Sequence, residues 1–158
     1  MKISYSNRPV QLPNLLLTII LLIIGVNTYA LADRFIPVDS TSAVESLLND
    51  AKTYYEMKQF EQAAALLERA LRIEPRNPIL WHNLAGIRLA QEDWKRAANL
   101  ATKSNTLAGS DNNYKELRLR NWVIVTRACE GMNDFNCAQE ARNRAQALAR
   151  ALHAEKSS

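Results

Sequence analysis

Large and small apolar residues follow one another in a fixed order along most of this chain, at the spacing of one face of a helix. No run alternates apolar with polar residues as a half-buried strand does. The pattern therefore predicts an all-α fold. We expect six helices, at about residues 43–57, 60–73, 78–90, 94–108, 112–130 and 134–153.

The segment 77–101 is the clearest unit, because residues of matching size recur 34 positions before it and 41 positions after it. The matched sets, in chain order, are Leu47, Ala51, Phe60 and Ala63; then Trp81, Ala85, Trp94 and Ala97; then Trp122, Phe135 and Ala138. We expect the three tryptophans to pack in the core, because each falls on a packing position of the repeat.

A period of 34 residues, closed by Pro75 in the first unit, is the signature of the tetratricopeptide (TPR) repeat, a helix-turn-helix hairpin. Ala51 facing Ala63 would let two antiparallel helices approach closely. One hairpin cannot bury its apolar face alone, so hairpins stack. We predict three hairpins in a right-handed α-solenoid, with repeats at 44–77, 78–111 and 119–152, and an extended fifth helix from about residue 112.

The N-terminus has the features of an export signal. Lys2 and Arg8 precede an uncharged apolar run at 15–26, and the segment ends in the small residues of Ala-Leu-Ala at 30–32. This order is typical of a signal peptide cut after Ala32. The alternative is an uncleaved inner-membrane anchor, since 15–32 is just long enough to span a bilayer. Either outcome places the rest of the chain in the periplasm.

Residues 33–42 form a predicted linker before a TPR domain at 43–154. Ser40, Thr41 or Ser42 is expected to cap the first helix, and Ser42 with Glu45 fits a helix capping box. The net charge of the chain is +4. Without Lys2 and Arg8, 18 basic residues face 16 acidic ones, a net charge of +2. This balance argues against a nucleic-acid-binding surface, where clustered basic residues are expected. The membrane is expected to be contacted only through an uncleaved N-terminal segment.

Cys129 and Cys137 flank the turn between the last two predicted helices. An exported chain with two cysteines in such a hairpin suggests a disulfide. The alternative is two small buried thiols. His82 and His153 are the only histidines and are remote from both cysteines, which fits no zinc site. With no Gly-rich phosphate loop and no recognisable nucleophile motif, we expect neither enzymatic activity nor a cofactor.

In stacked hairpins, the first helix of each lines the concave face. We predict that a protein partner binds there as an extended peptide or a helix. Charge would come from Lys52, Arg120 and Arg127, and an anchoring aromatic ring from Tyr55. The alternative is that these are ordinary solvated side chains. The complete predicted groove set is Lys52, Tyr55, His82, Asn83, Arg120 and Arg127.

TPR proteins that hold the C-terminal carboxylate of chaperones use Lys, Asn and Arg side chains in this groove. Asn83 and Arg120 match two of those places, whereas Leu48 and Ile124 fall where polar side chains are needed. A generic peptide is therefore expected instead. At the inserted turn, Asn105 and neighbouring polar residues are expected to satisfy polar groups and fix the angle of the fifth helix.

The run RALRIEPRNPILWHNLAGIRLAQ, followed by KSN, RNW and ACEG, resembles exported TPR proteins of gammaproteobacteria of the LpoP type. The resemblance covers about residues 44–150. It implies an adaptor that regulates a bifunctional penicillin-binding protein, although the lipid-anchor cysteine of such activators is missing here. Two alternatives are a structural assembly factor for a pilus or secretion complex, and an accessory subunit of a glycan-acting enzyme.

Overall fold

The computed structural model describes residues 35–37 and 41–157. The predicted signal or anchor segment at 1–32 lies outside the described residues. Over the described part the fold is all-helical, with α1 at Ser42–Glu56, α2 at Phe60–Ile73, α3 at Pro78–Ala90, α4 at Trp94–Ala108, α5 at Lys115–Gly131 and α6 at Phe135–Lys156. Among these helices none is both long and apolar enough to cross a membrane.

The six helices pair as three consecutive hairpins, α1 with α2, α3 with α4 and α5 with α6. Ala51 and Ala63 are both fully buried in the first apolar cluster, between α1 and α2. Ala85 and Ala97 are likewise buried in the second cluster. Small side chains at these positions allow the close approach that the repeat pattern predicts.

The turn inside each hairpin has the same backbone conformation. Lys58, Glu92 and Asn133 each have φ of 59°. In each turn the amide of the next residue donates to a carbonyl five positions earlier, as Gln59 does to Tyr54 at 2.8 Å. This is a Schellman-type helix end. The common turn explains why three different sequences form hairpins of one shape.

The third hairpin differs from the others where the repeat register shifts. A short 3₁₀ helix at Asn112–Tyr114 precedes α5, so the regular α-helix begins at Lys115 and not at residue 112. Asp111 caps this turn by accepting from the amide of Asn113 at 2.9 Å. The additional residues of the third repeat thus form a 3₁₀ turn followed by a 17-residue α-helix.

The tryptophans are partly buried and pack against the two clusters, Trp81 on the first and Trp94 and Trp122 on the second. Trp94 lies over the end of α5, where a Cβ at Gly131 would be 2.5 Å from the ring. Phe135, the equivalent of Trp94 in the third repeat, is 72% exposed. Its predicted packing position is therefore wrong, because no hairpin follows in the described chain to cover it.

Candidate peptide-binding surface

The surface formed by the first helices of the hairpins, α1, α3 and α5, is called here the A-helix surface. Phe35 and Ile36 of the chain's own N-terminal segment contact it. The Ile36 amide donates to Asn83 Oδ1, and Asn83 Nδ2 donates to the Ile36 carbonyl, both at 3.0 Å. Asn83, on α3, therefore satisfies both backbone groups of one residue, as a neighbouring strand would.

The residue before Ile36 is held by aromatic side chains. The Phe35 ring lies 5.2 Å from the Tyr55 ring on α1, and Tyr55 lies 5.6 Å from Phe60 at the start of α2. Both ring pairs are tilted by 54°, an arrangement that favours edge-to-face attraction. Phe35 also packs against the first apolar cluster. The segment is thus bound through one aromatic side chain and one peptide backbone.

A second contact fixes the chain where α1 begins. The amide and the hydroxyl of Thr41 both donate to Glu74 Oε1 at 3.2 Å, and Asn77 Nδ2 donates to Glu74 Oε2 at 2.8 Å. The Asn77 hydrogen bond and those of Thr41 lower the pKa of Glu74. Thr41 is the N-cap residue but makes no side-chain cap. The expected Ser42 capping box is therefore wrong, since this carboxylate replaces it.

A buried polar cluster lies between α3, α4 and α5. His82 Nδ1 is 2.7 Å from Asn121 Oδ1, and Asn121 Nδ2 donates to Ser104 Oγ at 2.8 Å and to Asn105 Oδ1 at 2.9 Å. Ser104 Oγ donates to the carbonyl of Pro78 at 2.7 Å. Because Asn121 uses its amide nitrogen for two acceptors, its oxygen must accept from His82. Nδ1 of His82 therefore carries a proton.

Burial lowers the pKa of His82 to about 4, and the nearby positive charge of Arg120 acts in the same direction. The hydrogen bond with Asn121 opposes this shift. The role expected of Asn105 is observed in its bond to Asn121. Asn105 Nδ2 and Arg120 Nε, however, are buried without a hydrogen-bond partner among the described residues. The cluster thus joins the second and third hairpins, and the amide nitrogen of Asn105 and Nε of Arg120 lie unpaired beside it within the described part of the chain.

Two members of the predicted groove set are not accessible. His82 and Asn83 are 1% and 2% exposed. His82 is covered because it bonds to α5, and Asn83 because residues 35–37 lie over it. Neither side chain is open to a partner in this structure, and their assignment to a partner site stays a prediction. Leu48 and Ile124 are buried as well, so the carboxylate clamp is not formed.

The other four predicted groove residues lie on α1 and α5. The Lys52 side chain is 56% exposed and lies 3.8 Å from Glu56. The Arg120 side chain is 19% exposed and bonds to Glu116 at 2.6 Å. Arg127 is half-buried on α5, and Tyr55 contacts Phe35. Of the six predicted residues, two are therefore covered (His82, Asn83), one is exposed (Lys52), and three are partly exposed (Tyr55, Arg120, Arg127).

The two cysteines lie at the turn of the third hairpin. Cys129, near the end of α5, and Cys137, in the first turn of α6, are joined by a disulfide with their Cα atoms 5.8 Å apart. Asp134 caps α6 between them by accepting from the amide of Cys137 at 3.0 Å. The two ends of this hairpin turn are thereby held together.

A family model of the tetratricopeptide repeat matches residues 54–120. The globular C-terminal domain of P. aeruginosa LpoP, a solved structure, is similar to this chain with a TM-score of 0.63 and 32% sequence identity. The match covers 68% of this chain and 99% of that one. Among curated proteins, no match was found. With this identity over nearly the whole LpoP domain, the chain belongs to the tetratricopeptide-repeat proteins of the LpoP type.

Proposed function

We propose that this chain is a protein-binding adaptor of the periplasm that regulates a bifunctional penicillin-binding protein. The observation that carries the proposal is the similarity of its helical domain to the C-terminal domain of LpoP over 99% of that domain. The resemblance to LpoP-type proteins, some of which activate such synthases, implies this role, and TPR hairpins are scaffolds for protein interaction. The proposal places the domain outside the cytoplasm, where the synthase polymerises glycan strands.

The part of the A-helix surface that we assign to the synthase is the third hairpin together with the exposed end of α1. Residues 35–37 already cover Asn83 and the Tyr55 ring on the first two hairpins. Arg120 and Arg127 on α5, with Lys52 on α1, supply positive charge there. An acidic segment of the partner would complement this charge, which speeds encounter and sets register more than it adds affinity.

The test is glycan-strand polymerisation by the purified synthase with and without this chain. We expect stimulation by the wild type and its loss in the triple variant Lys52→Glu, Arg120→Glu, Arg127→Glu. Arg120 is largely buried, so the double variant Lys52→Glu, Arg127→Glu serves as a second arm that leaves its ion pair with Glu116 intact. Thermal unfolding of each variant shows whether the fold is retained.

A matched control reverses three exposed charges on the second helices, Arg69→Glu, Arg72→Glu and Lys103→Glu. The control changes the net charge by the same amount as the triple variant Lys52→Glu, Arg120→Glu, Arg127→Glu. It should stimulate the synthase as the wild type does. If both the triple variant and the control lose stimulation, the effect depends on the net charge of the chain and not on the A-helix surface. If the wild type leaves the synthase rate unchanged and instead binds a purified pilin or secretin, the assembly-factor alternative replaces this proposal.

A further inference from the structure

We propose that Asn83, Tyr55 and Phe60 form a binding site for an extended peptide, and that the chain's own Phe35–Pro37 occupies this site in cis. The site would take a residue with an aromatic side chain followed by a residue whose amide and carbonyl are both free. This inference does not depend on the identity of the partner protein. It concerns Asn83, Tyr55 and Phe60 on the first two hairpins, whereas the synthase surface was assigned to the third hairpin and to Lys52 on α1.

The paired hydrogen bonds are the main argument. Asn83 is 2% exposed and lies inside a helix, yet its side chain bonds to a residue 47 positions earlier in the chain. A buried amide with no partner would cost free energy. The two 3.0 Å bonds satisfy its acceptor and one of its donors with the backbone of a single residue. These two bonds recognise the backbone of the bound residue and not its side chain. Any extended peptide with a free amide and carbonyl at this position can therefore form them.

The aromatic contact adds selectivity for side chain. Phe35 lies against Tyr55, which in turn lies against Phe60, so the ring enters an aromatic wall at the end of the first hairpin. Pro37 follows Ile36 and restricts Ile36 to an extended backbone. An aromatic-aliphatic-proline sequence is therefore suited to the site in both conformation and contact.

Occupation in cis has a consequence for competition. Thr41 is fixed to Glu74 at the start of α1, so residues 35–37 are tethered close to the site. Tethering gives an effective concentration of about millimolar, which outcompetes a free peptide of similar affinity. A peptide added in trans should therefore bind only when the chain's own segment is removed from the site.

The experiment uses the full chain in an emptied form, Phe35→Ala with Ile36→Pro, which removes the ring and the amide donor. The probe is a fluorescent peptide with the sequence of residues 33–38, Asp-Arg-Phe-Ile-Pro-Val, titrated by polarisation to about 5 mM, the range of effective concentration for a short tether. We expect saturable binding to the emptied form and at least about tenfold weaker binding to the wild type.

Two changes test the hydrogen bonds themselves. Asn83→Leu in the emptied form should weaken binding by about tenfold or more, because two backbone bonds are lost. Asn49→Leu is the matched control, since Asn49 is the exposed asparagine one repeat earlier. In case Asn83→Leu does not fold, the same peptide with an N-methylated isoleucine removes one bond from the ligand side and should also bind more weakly.

Three results would overturn the proposal: no saturable binding to the emptied form within this range, equal binding to the wild type and the emptied form, or unchanged binding of the N-methylated peptide. A replacement of Tyr55 by leucine should weaken the complex, whereas Tyr54→Leu on the same helix should not. Tyr54 is 37% exposed and is the control for loss of a tyrosine from α1.

Discussion

The two junctions between hairpins are built differently. The first, between hairpins one and two, is apolar, and Leu67, Leu71, Leu80 and Leu84 are buried in one cluster there. The second, between hairpins two and three, contains apolar side chains and also the buried polar residues His82, Ser104 and Asn121. At the edge of the first junction, Arg88 on α3 forms an ion pair with the half-exposed Glu68 on α2. Among the described residues, fully buried polar side chains bond to one another only at the second junction.

The two kinds of junction differ in how strictly they fix the orientation of one hairpin against the next. Apolar contacts stabilise a junction in proportion to buried area and tolerate small rotations. Buried hydrogen bonds do not tolerate such rotations, because each donor needs its acceptor at a set distance and angle. The register of the repeat changes at the second junction, where the 3₁₀ helix Asn112–Tyr114 is inserted. The polar cluster therefore fixes α5 where the repeat pattern alone no longer does.

The largest expected effect is at the apolar junction. Leu80→Ala should lower the free energy of unfolding by about 4 kcal/mol, because it removes a fully buried side chain and leaves a cavity. The measurement is urea unfolding at neutral pH. A loss below about 1 kcal/mol would mean that the first junction is not the close-packed contact described here.

At the polar junction, Asn121→Leu should cost about 3 kcal/mol, because His82 and Asn105 lose their partner while staying buried. Urea unfolding measures it in the same way. Ser104→Ala is a milder comparison, since Asn121 keeps its bonds to His82 and Asn105. An Asn121→Leu variant as stable as the wild type would show that apolar packing alone holds the second junction.

The disulfide distinguishes the third hairpin from the first two. Reduction of Cys129–Cys137, or the double change to alanine, should cost about 2 to 3 kcal/mol. Thermal unfolding with and without reductant measures the loss. Mass spectrometry after thiol labelling tests the bond itself, and a chain isolated from the periplasm that takes up two labels would contradict it.

The smallest expected effect is a pH dependence confined to the polar junction. His82 stays neutral in the folded chain down to a pKa of about 4, whereas in the unfolded chain it takes up a proton near its ordinary 6.5. Stability is therefore full above about pH 6.5 and falls as the pH drops towards 4. We expect a loss of about 2 kcal/mol between pH 7 and pH 5.

The control for this prediction is His82→Gln, which keeps a donor for Asn121 and does not titrate. Both proteins contain the same carboxylates, such as Glu74. Their contributions to the pH dependence therefore cancel when the stability of His82→Gln is subtracted from that of the wild type. If this difference is the same at pH 7 and pH 5, His82 is not buried as a neutral ring.

The helices were predictable because each is encoded locally, by apolar spacing and by its ends. Gly109, for example, ends α4 with a positive φ of 55°. The matched pair Ala85 and Ala97 likewise indicated which faces meet. These signals lie within one repeat, so no distant contact has to be known.

The candidate site was less predictable, because its contacts join distant residues. Asn83 looked like an open groove position, and only the contact with Ile36, 47 residues away, shows that it is covered. The contact between His82 and Asn121 could not be predicted without knowing the shift in repeat register, which brings Asn121 opposite His82. Phe135 followed the repeat pattern, but among the described residues no further hairpin packs against it. A local sequence pattern predicts which face of a helix a side chain lies on. It does not predict which distant residue that side chain contacts.

The most direct test of the account is amide hydrogen exchange at Ile36, measured on the full chain by NMR or by mass spectrometry of peptides covering residues 35–41. Docking of Ile36 on Asn83 predicts that this amide is protected in the wild type and in Asn49→Leu, and exchanges at the rate of a free peptide in Asn83→Leu. An Ile36 amide that exchanges at the free-peptide rate in the wild type would contradict the account.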